Sequence, residues 1–500
     1  MDFDLFAQDP LFYIHNRVQT CEKEPDLGLG SDITEFVHQN PEILDGIPLI
    51  QTQTELMDLQ PGKLARMRLI LSTNTSNDIV PLVLDTNQGR FSFLARSLIP
   101  SEFEVNNVQN VCVQNIIGES IRNLSGWCRH LSNIQDDQNN VHLTPACENG
   151  NEASDEEFII MIKFFDDKIQ SKMFTTYDVL GFLEEPSIEG VGMEYETLDN
   201  GFFRTLPVFV GLALFETESL YPLTNSEAEL PLIELRHIVL DFLLTMFEPL
   251  QAELILLWLV SRTRNRSGLQ TIGSISINFT EVDVESSQRV LQILQMISTI
   301  LVHVDLSIDN LNSIDIQPCV EDCVPKRSIF ETGKESRYIF NETLLQEGTL
   351  TEKGIMNIKC IQELVSLQSL TCDFNGSVFQ IDTSNPCMVL SNSKSIISCD
   401  CNVRIGVVGL PSEMDSNVLH LIRVYCENTR KKSFNYSDND AQILKSTVLD
   451  LLKSQKDISI EDAHFFANML ENMCISMGAD SINEEILSHT LEMYSQITAK

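Results

Sequence analysis

Basic side chains are scarce. The 500 residues carry 34 lysines and arginines against 72 aspartates and glutamates, a formal net charge of −38. A chain this acidic is repelled by phosphate backbones unless it gathers a basic patch. That makes naked DNA or RNA a poor first choice of ligand and a basic protein surface a better one. Tryptophan occurs twice, and glycine and proline number only 22 and 17, far below collagen-like or low-complexity levels. Long uninterrupted apolar runs are missing too. The best membrane candidate, Ile238–Val260, is broken by Asp241, Glu248, Pro249 and Glu253, more polar residues than a bilayer span tolerates. It reads instead as two buried helices meeting at Glu248–Pro249.

What is present is ordinary for a globular protein: 43% hydrophobic and 21% charged residues. The length suggests about three domains, since one core stops growing near ~250–300 residues. Thirteen cysteines, an odd number, are spread from Cys21 to Cys474. The opening Met1-Asp-Phe-Asp is acidic where a signal peptide needs positive charge. Together these point to a reducing, intracellular setting with free thiols and no structural disulfide.

Pattern along the chain divides it. Residues 1–55 mix short apolar clusters with Gly, Pro and Asp and read as short helices and loops. Residues 56–190 alternate as strands do: Leu64–Leu71, Ile79–Leu84, Arg90–Leu94, Val108–Ile117, Phe158–Phe165 and Thr175–Leu183. Many short strands with a long polar insertion at about 132–157, expected to be a mobile loop, predict an OB-like β-barrel. Residues 191–230 form an acidic linker with one strand, Leu206–Leu214. From 231 to 435 strands alternate with helices: Leu232–Arg262 helical, Ile272–Phe279 a strand, Ser286–Val304 a helix running into a strand, Arg337–Phe340 a strand, Gly354–Ser369 a helix, then strands at Val378–Ile381, Cys387–Leu390 and Val403–Val408. This predicts a sheet with helical layers. Residues 436–500 are helical throughout, and Ser459-Ile-Glu-Asp is a helix-start signal.

Such a domain invites a search for a phosphate loop, which needs Gly, four residues, then Gly-Lys-Ser/Thr so that successive amides wrap the phosphates. The nearest text is Thr332-Gly-Lys-Glu-Ser. It has Ser328 where the first glycine belongs and Glu335, which would repel phosphate, after Lys334; it reads as a surface turn. Phe340-Asn-Glu-Thr follows an apolar strand as an Asp-Glu pair would in an ATPase, but Asn341 stands where the metal-positioning acid belongs, and Glu342 reads as a cap or solvated residue. Cys128, His130, His142 and Cys147 match no zinc spacing. Neither do Cys319 with Cys323, nor Cys399 with Cys401; all read as thiols and ordinary polar residues. No Gly-x-Ser-x-Gly occurs. Arg262, Arg264 and Arg266, and the run Arg430-Lys-Lys, are weak basic patches that read as solvated turns. The sequence therefore predicts no catalytic residue, no cofactor and no metal.

Tyr338-Ile-Phe-Asn-Glu-Thr-Leu-Leu-Gln-Glu-Gly-Thr-Leu followed by Gly354-Ile-Met-Asn-Ile resembles the mini-chromosome maintenance complex-binding protein family. Its signature there is an apolar strand, Asp-Glu-Thr-x-Leu, Glu/Gln-Gly-x-Leu and Gly-x-x-Asn. Further likenesses keep the family's order: Gly118-Glu-Ser, Asp178-Val-Leu-Gly-Phe-Leu, Ala252-Glu-Leu-Ile-Leu-Leu-Trp-Leu-Val-Ser, Ile272-Gly-Ser-Ile-Ser-Ile-Asn, Cys372-Asp-Phe-Asn and Met388-Val-Leu-Ser-Asn-Ser-Lys-Ser-Ile-Ile. The likeness covers about residues 45–500, most specifically 250–400. Asn341 departs from the family's Asp.

The resemblance implies a C-terminal degenerate, helicase-like AAA+ α/β domain without a phosphate loop at 231–435, and a helical lid at 436–500. It implies a non-catalytic, nuclear protein, with a cytoplasmic pool, that binds subunits of the hexameric MCM helicase. Such a protein escorts new subunits and unloads the complex during DNA replication, with a consequence for sister-chromatid cohesion. Partner-binding residues are expected within 231–500, and chromatin is reached through the partner. The alternative is a single-strand-binding or nucleotide-dependent replication factor that uses the barrel, where Phe91, Phe93 and Trp127 supply aromatics but basic residues are few.

Overall fold

The structure, a computed structural model, describes residues 3–498 apart from 21–28, 121–126, 131–142, 146–157, 166–170, 173–174, 186–205, 217–226, 322–323, 331–332, 410–414, 455–458 and single positions between them. Of the insertion expected as a mobile loop, only 143–145 is described, as a strand; the rest lies outside the described residues.

Nine strands precede residue 220 among the described residues: β1 Leu49–Ile50, β2 Leu64–Thr86, β3 Gly89–Ser92, β4 Val105–Ser120, β5 Trp127–His130, β6 Leu143–Pro145, β7 Ile159–Phe164, β8 Thr175–Leu183 and β9 Val208–Glu216. All but β5 and β6 belong to one sheet, ordered β1-β2-β4-β7-β9-β8, with β3 on β2. β2 pairs with β4 and also with β8, so the path β4-β7-β9-β8 starts and ends on β2. The β7–β9 pairing is parallel and β8–β9 antiparallel.

Two sequence expectations change here. The separate strands Leu64–Leu71 and Ile79–Leu84 are one strand, because the Ser/Thr/Asn stretch between them is taken up by register shifts against β4 rather than by a turn. The sheet also takes in Val208–Glu216, a segment the sequence reading assigns to the linker. Alternation puts successive residues of this sheet in two cores. Val179 and Phe209 face inward with Leu69, Ile116, Ile162 and Phe164. Leu180, Phe182, Val210 and Leu212 face outward against Phe6, Ile14, Ile33 and Val37, from the helices α1 Phe3–Gln8, α2 Pro10–Thr20 and α3 Leu29–Gln39. Gly181 marks the register shift between β8 and β9. A Cβ there would lie 2.0 Å from the Val210 carbonyl oxygen, so no side chain fits.

The rest of the chain is layered. Its strands are β10 Asn265–Ser267, β11 Gln270–Ile272, β12 Ile277–Thr280, β13 Ile300–Asp305, β14 Cys319–Glu321, β15 Val324–Lys326, β16 Arg337–Asn341, β17 Ser369–Phe374, β18 Ser377–Asp382, β19 Cys387–Leu390 and β20 Cys401–Arg404. The second sheet runs β20-β12-β19-β16-β13-β5-β6. Its pairings are parallel from β20 to β5; the last, β5–β6, is antiparallel. A smaller sheet, β15-β14-β17-β18, sits beside it. The expected strand Ile272–Phe279 is two strands, because Gly273 turns the chain at φ +90°, and a Cβ there would meet the Arg262 carbonyl at 2.7 Å.

Helices cover both faces. On one side lie α5 Leu232–Leu244, α6 Pro249–Val260, α7 Val284–Ile297, α10 Ser416–Lys431, α12 Ile460–Ser476 and α13 Glu484–Thr498. On the other lie α8 Ile308–Ser313 and α9 Glu352–Leu367. The remaining α-helices among the described residues are α4 Gln53–Asp58 and α11 Asp438–Ser454. The expected helix pair meets at Glu248–Pro249 as the sequence predicts, with every residue of Gln251–Val260 buried. Ser459 and Asp462 form the reciprocal cap that starts α12. The sequence reading missed α10, whose exposed face is narrow. Among the described residues, no helix is long and apolar enough to cross a membrane.

Candidate functional site at the carboxyl edge of the second sheet

In an open parallel sheet, ligands bind beyond the carboxyl ends of the strands. A phosphate would sit where the first core strand hands over to its helix, with the helix amides donating to it. Here that place is the turn Glu281–Asp283 between β12 and α7. It holds no glycine although Glu281 takes φ +58°, and its side chain pairs with the Arg404 guanidinium at 2.7 Å. Asp283 accepts the Ser286 amide at 2.7 Å. That amide, with the neighbouring Glu285 amide, holds the Asp283 carboxyl below its ordinary range. The protein's own carboxylate therefore occupies the anion-binding end of α7.

The other strand ends are closed in the same way. Asn341, at the end of β16, donates to Asp305 at 2.7 Å, and Asp305 also contacts His303 at 2.8 Å. The Asn341 carbonyl oxygen of the side chain accepts the Thr343 hydroxyl at 2.8 Å. Glu342 is buried and accepts the Ser395 hydroxyl at 2.9 Å and the Ile396 amide at 3.4 Å; burial raises its pKa. It is an internal bracket between two loops, not the cap or solvated residue expected. At the end of β19, Ser391 donates to Asn278 at 2.9 Å, which donates to Asn402 at 2.8 Å. Each of these groups has a partner inside the protein, so the edge is a lattice of internal hydrogen bonds.

Gly333 and Lys334 lie before β16, at the wrong end of the sheet for a phosphate. A Cβ on Gly333 would meet Thr176 and Ile70 of the first sheet, and burial lowers the Lys334 pKa. The Arg262–Arg266 run turns inward. Arg264 donates twice to Asn472 at 3.0 Å, and Arg266 donates to the carbonyls of Leu367, Gln368 and Thr383. Arg430 is buried against Glu427 at 3.0 Å. These arginines are structural, which corrects their reading as solvated turns.

Cys128 and His130 lie on β5, while His142, Cys147 and Cys323 fall outside the described residues. Cys319, Cys399 and Cys401 are unbridged, and burial pushes the Cys401 thiol well above its usual range. Among the described residues, no group of three or more His, Cys, Asp and Glu could hold a metal ion. The sequence search missed Asp283. The signal was present: an acid shortly after an apolar strand and three residues before Ser286 is a helix cap.

A model of the mini-chromosome maintenance replisome factor family matches residues 130–499. Over 287 residues the chain is 23% identical to the mini-chromosome maintenance complex-binding protein of Salmo salar, covering 54% of this chain and 45% of that protein. The Drosophila melanogaster protein of the same name is 22% identical over 270 residues, 51% of this chain and 44% of that protein. For Mus musculus the figures are 21% over 255 residues, 48% and 40%. The chain thus spans less than half the length of the curated relatives it matches. With the family match running from β5 through the parallel sheet to the last helix, the chain belongs to the mini-chromosome maintenance replisome factor family.

Proposed function

We propose that this chain is a binding factor for the mini-chromosome maintenance complex and performs no catalysis. The family match over residues 130–499 carries the reading, together with the names of the relatives. The carboxylate already seated at the start of α7 supports it, since it removes the amides a nucleotide would use. The net charge of −38 suits a basic protein partner. In this reading the β2-β4-β7-β9-β8 path is an OB-type barrel, supported by its return to β2 and the parallel β7–β9 pair. The second sheet is an ATPase-like domain that has lost its phosphate loop, and α11–α13 are its lid. The chain acts in the nucleus, with a cytoplasmic pool. It escorts helicase subunits and unloads the complex, which bears on sister-chromatid cohesion, and it reaches chromatin through its partner.

The single-strand-binding alternative has less support. Among the described residues, cations on or beside the first sheet are already engaged: Arg68 with Asp178 at 2.7 Å, Arg90 with Asp85 at 3.2 Å, Arg96 with Glu184 at 2.6 Å and Lys163 with Glu184 at 3.1 Å. Single-strand binding wants such groups aimed along a groove. The test is direct binding of the purified full chain to each recombinant helicase subunit by biolayer interferometry, with a single-stranded oligonucleotide as comparison. Binding to at least one subunit and not to the oligonucleotide is expected. Oligonucleotide binding without subunit binding overturns the reading.

A further inference from the structure

The hairpin β17–β18 pairs in unbroken register from Ser369↔Asp382 to Phe374↔Ser377. It turns through Gly376 at φ +85°, whose amide donates to Asp373 at 2.8 Å. Across a two-residue turn the first pair exchanges both hydrogen bonds, and bonded pairs then alternate. Ser377, Phe379 and Ile381 therefore spend their amides and carbonyls on β17. Those of Val378, Gln380 and Asp382 point the other way. Among the described residues nothing meets them, for the small sheet ends on β18.

Edges of this kind are normally blunted by lysine, proline, a bulge or a very short strand. β18 has none of these. It is six residues of Ser-Val-Phe-Gln-Ile-Asp, with Val378 63% and Phe379 40% exposed. The hairpin strands carry no basic residue; their only charges are Asp373 and Asp382. Arg266 touches Asp382 at 3.5 Å, yet the Asp382 side chain remains 70% exposed.

We propose that β18 is a docking edge that accepts an extended segment of a partner protein as an added strand, with apolar side chains against Val378 and Phe379 and lysine or arginine at its ends facing Asp373 and Asp382. Main-chain hydrogen bonds to Val378 and Gln380 supply the affinity, and the alternate side chains and end charges supply the selectivity. The inference deepens the binding-factor reading and rests on it.

Amide hydrogen exchange of the full chain, with and without saturating helicase subunit, tests the edge directly. The outward amides of Val378 and Gln380 should become protected on binding. Gln380→Pro removes one outward N–H and leaves the bonds to β17 intact; Val378→Lys sets a positive charge against a basic strand. Each should weaken subunit binding at least tenfold with an unchanged melting temperature. Should Gln380→Pro fail to fold, Val378→Lys decides. Subunit binding with unprotected β18 amides and indifferent variants overturns the docking edge and leaves the binding-factor reading standing. Absence of subunit binding by the unaltered chain removes both. A concentration-dependent dimer that Gln380→Pro abolishes would make the occupant a second copy and also overturn the proposal.

Discussion

The Asp283 carboxylate lies 2.7 Å from the Ser286 amide, so α7 already holds an anion where a nucleotide-binding domain would hold phosphate. Isothermal calorimetry with Mg²⁺ and ATP should therefore show no micromolar binding by the full chain. Asp283→Ala should lower the melting temperature, because a lost N-cap leaves a helix amide unsatisfied, and should not create ATP binding, since Glu281 and Glu285 still repel phosphate. Micromolar ATP binding that Lys334→Ala abolishes would restore the Gly333–Lys334 turn as a phosphate site.

Glu253 joins three helices: Arg236 of α5 donates to it at 2.5 Å and His489 of α13 contacts it at 3.3 Å. Burial alone would raise its pKa, but the hydrogen bonds and charges of His489 and Arg236 outweigh that and hold it below the ordinary 4.5. A depressed carboxyl contributes stability above its unfolded pKa and loses it as pH falls toward the folded one. Thermal melts should thus show a loss of stability below about pH 4.5 that Glu253→Gln lacks. At pH 7, Glu253→Gln strands the Arg236 charge, which should cost about 3–5 kcal/mol. An unchanged acid limb in Glu253→Gln would remove this pair as its source.

Glu342 behaves in the opposite sense. Burial raises its pKa against the pull of the Ser395 hydroxyl and the amides of Ile396 and Ile397. A carboxyl with a raised folded pKa favours the fold while protonated and loses that contribution as pH rises. Glu342→Gln, which keeps an acceptor for Ser395 without the charge, should match or exceed the melting temperature of the unaltered chain at pH 7.5. A fall of several degrees would mean that the ionised carboxylate is what holds the loop.

The edges of this architecture were legible where periodicity and punctuation agree. Thr175–Leu183, Cys387–Leu390 and the break at Glu248–Pro249 read correctly, because alternation, short apolar runs and a proline after an acid act locally. The union of Leu64–Leu71 with Ile79–Leu84 did not, since polar residues absorbed by register shifts look like a turn in one dimension. Nor did the inward roles of Arg264 and Arg266: their partners Asn472 and Gln368 lie far along the chain, and a basic triplet alone reads as solvated. The Gly-Lys text lies at Gly333–Lys334, whereas strand order sets the relevant turn at 281–283. Strand order is not encoded in any local window.

Gly181 tests the first sheet. Its Cβ position lies 2.0 Å from the Val210 carbonyl oxygen, a backbone atom fixed by the β8–β9 ladder, so no rotamer change relieves the clash. Gly181→Ala should destabilise by about 3 kcal/mol, the upper end for overpacking, read as a shift in the urea midpoint with little change in slope. A shift near zero would mean that β8 and β9 are not paired at this point.

The final expectation concerns how a chain of net charge −38 meets its partner. Long-range attraction to a basic surface guides the encounter and raises the association rate. Its reach is about 8 Å at physiological ionic strength and about 3 Å at 1 M. The bound state is different. Main-chain hydrogen bonds and apolar side chains at an interface centre are little affected by salt, and charge pairs at the rim contribute modestly to affinity. Biolayer interferometry with a helicase subunit from 0.05 M to 0.5 M sodium chloride should show the association rate falling several-fold while the dissociation rate changes little. If the dissociation rate instead rises in step with salt and carries most of the affinity loss, the contact is built from ion pairs, and the acidic surface is the binding site itself, not only a guide to it.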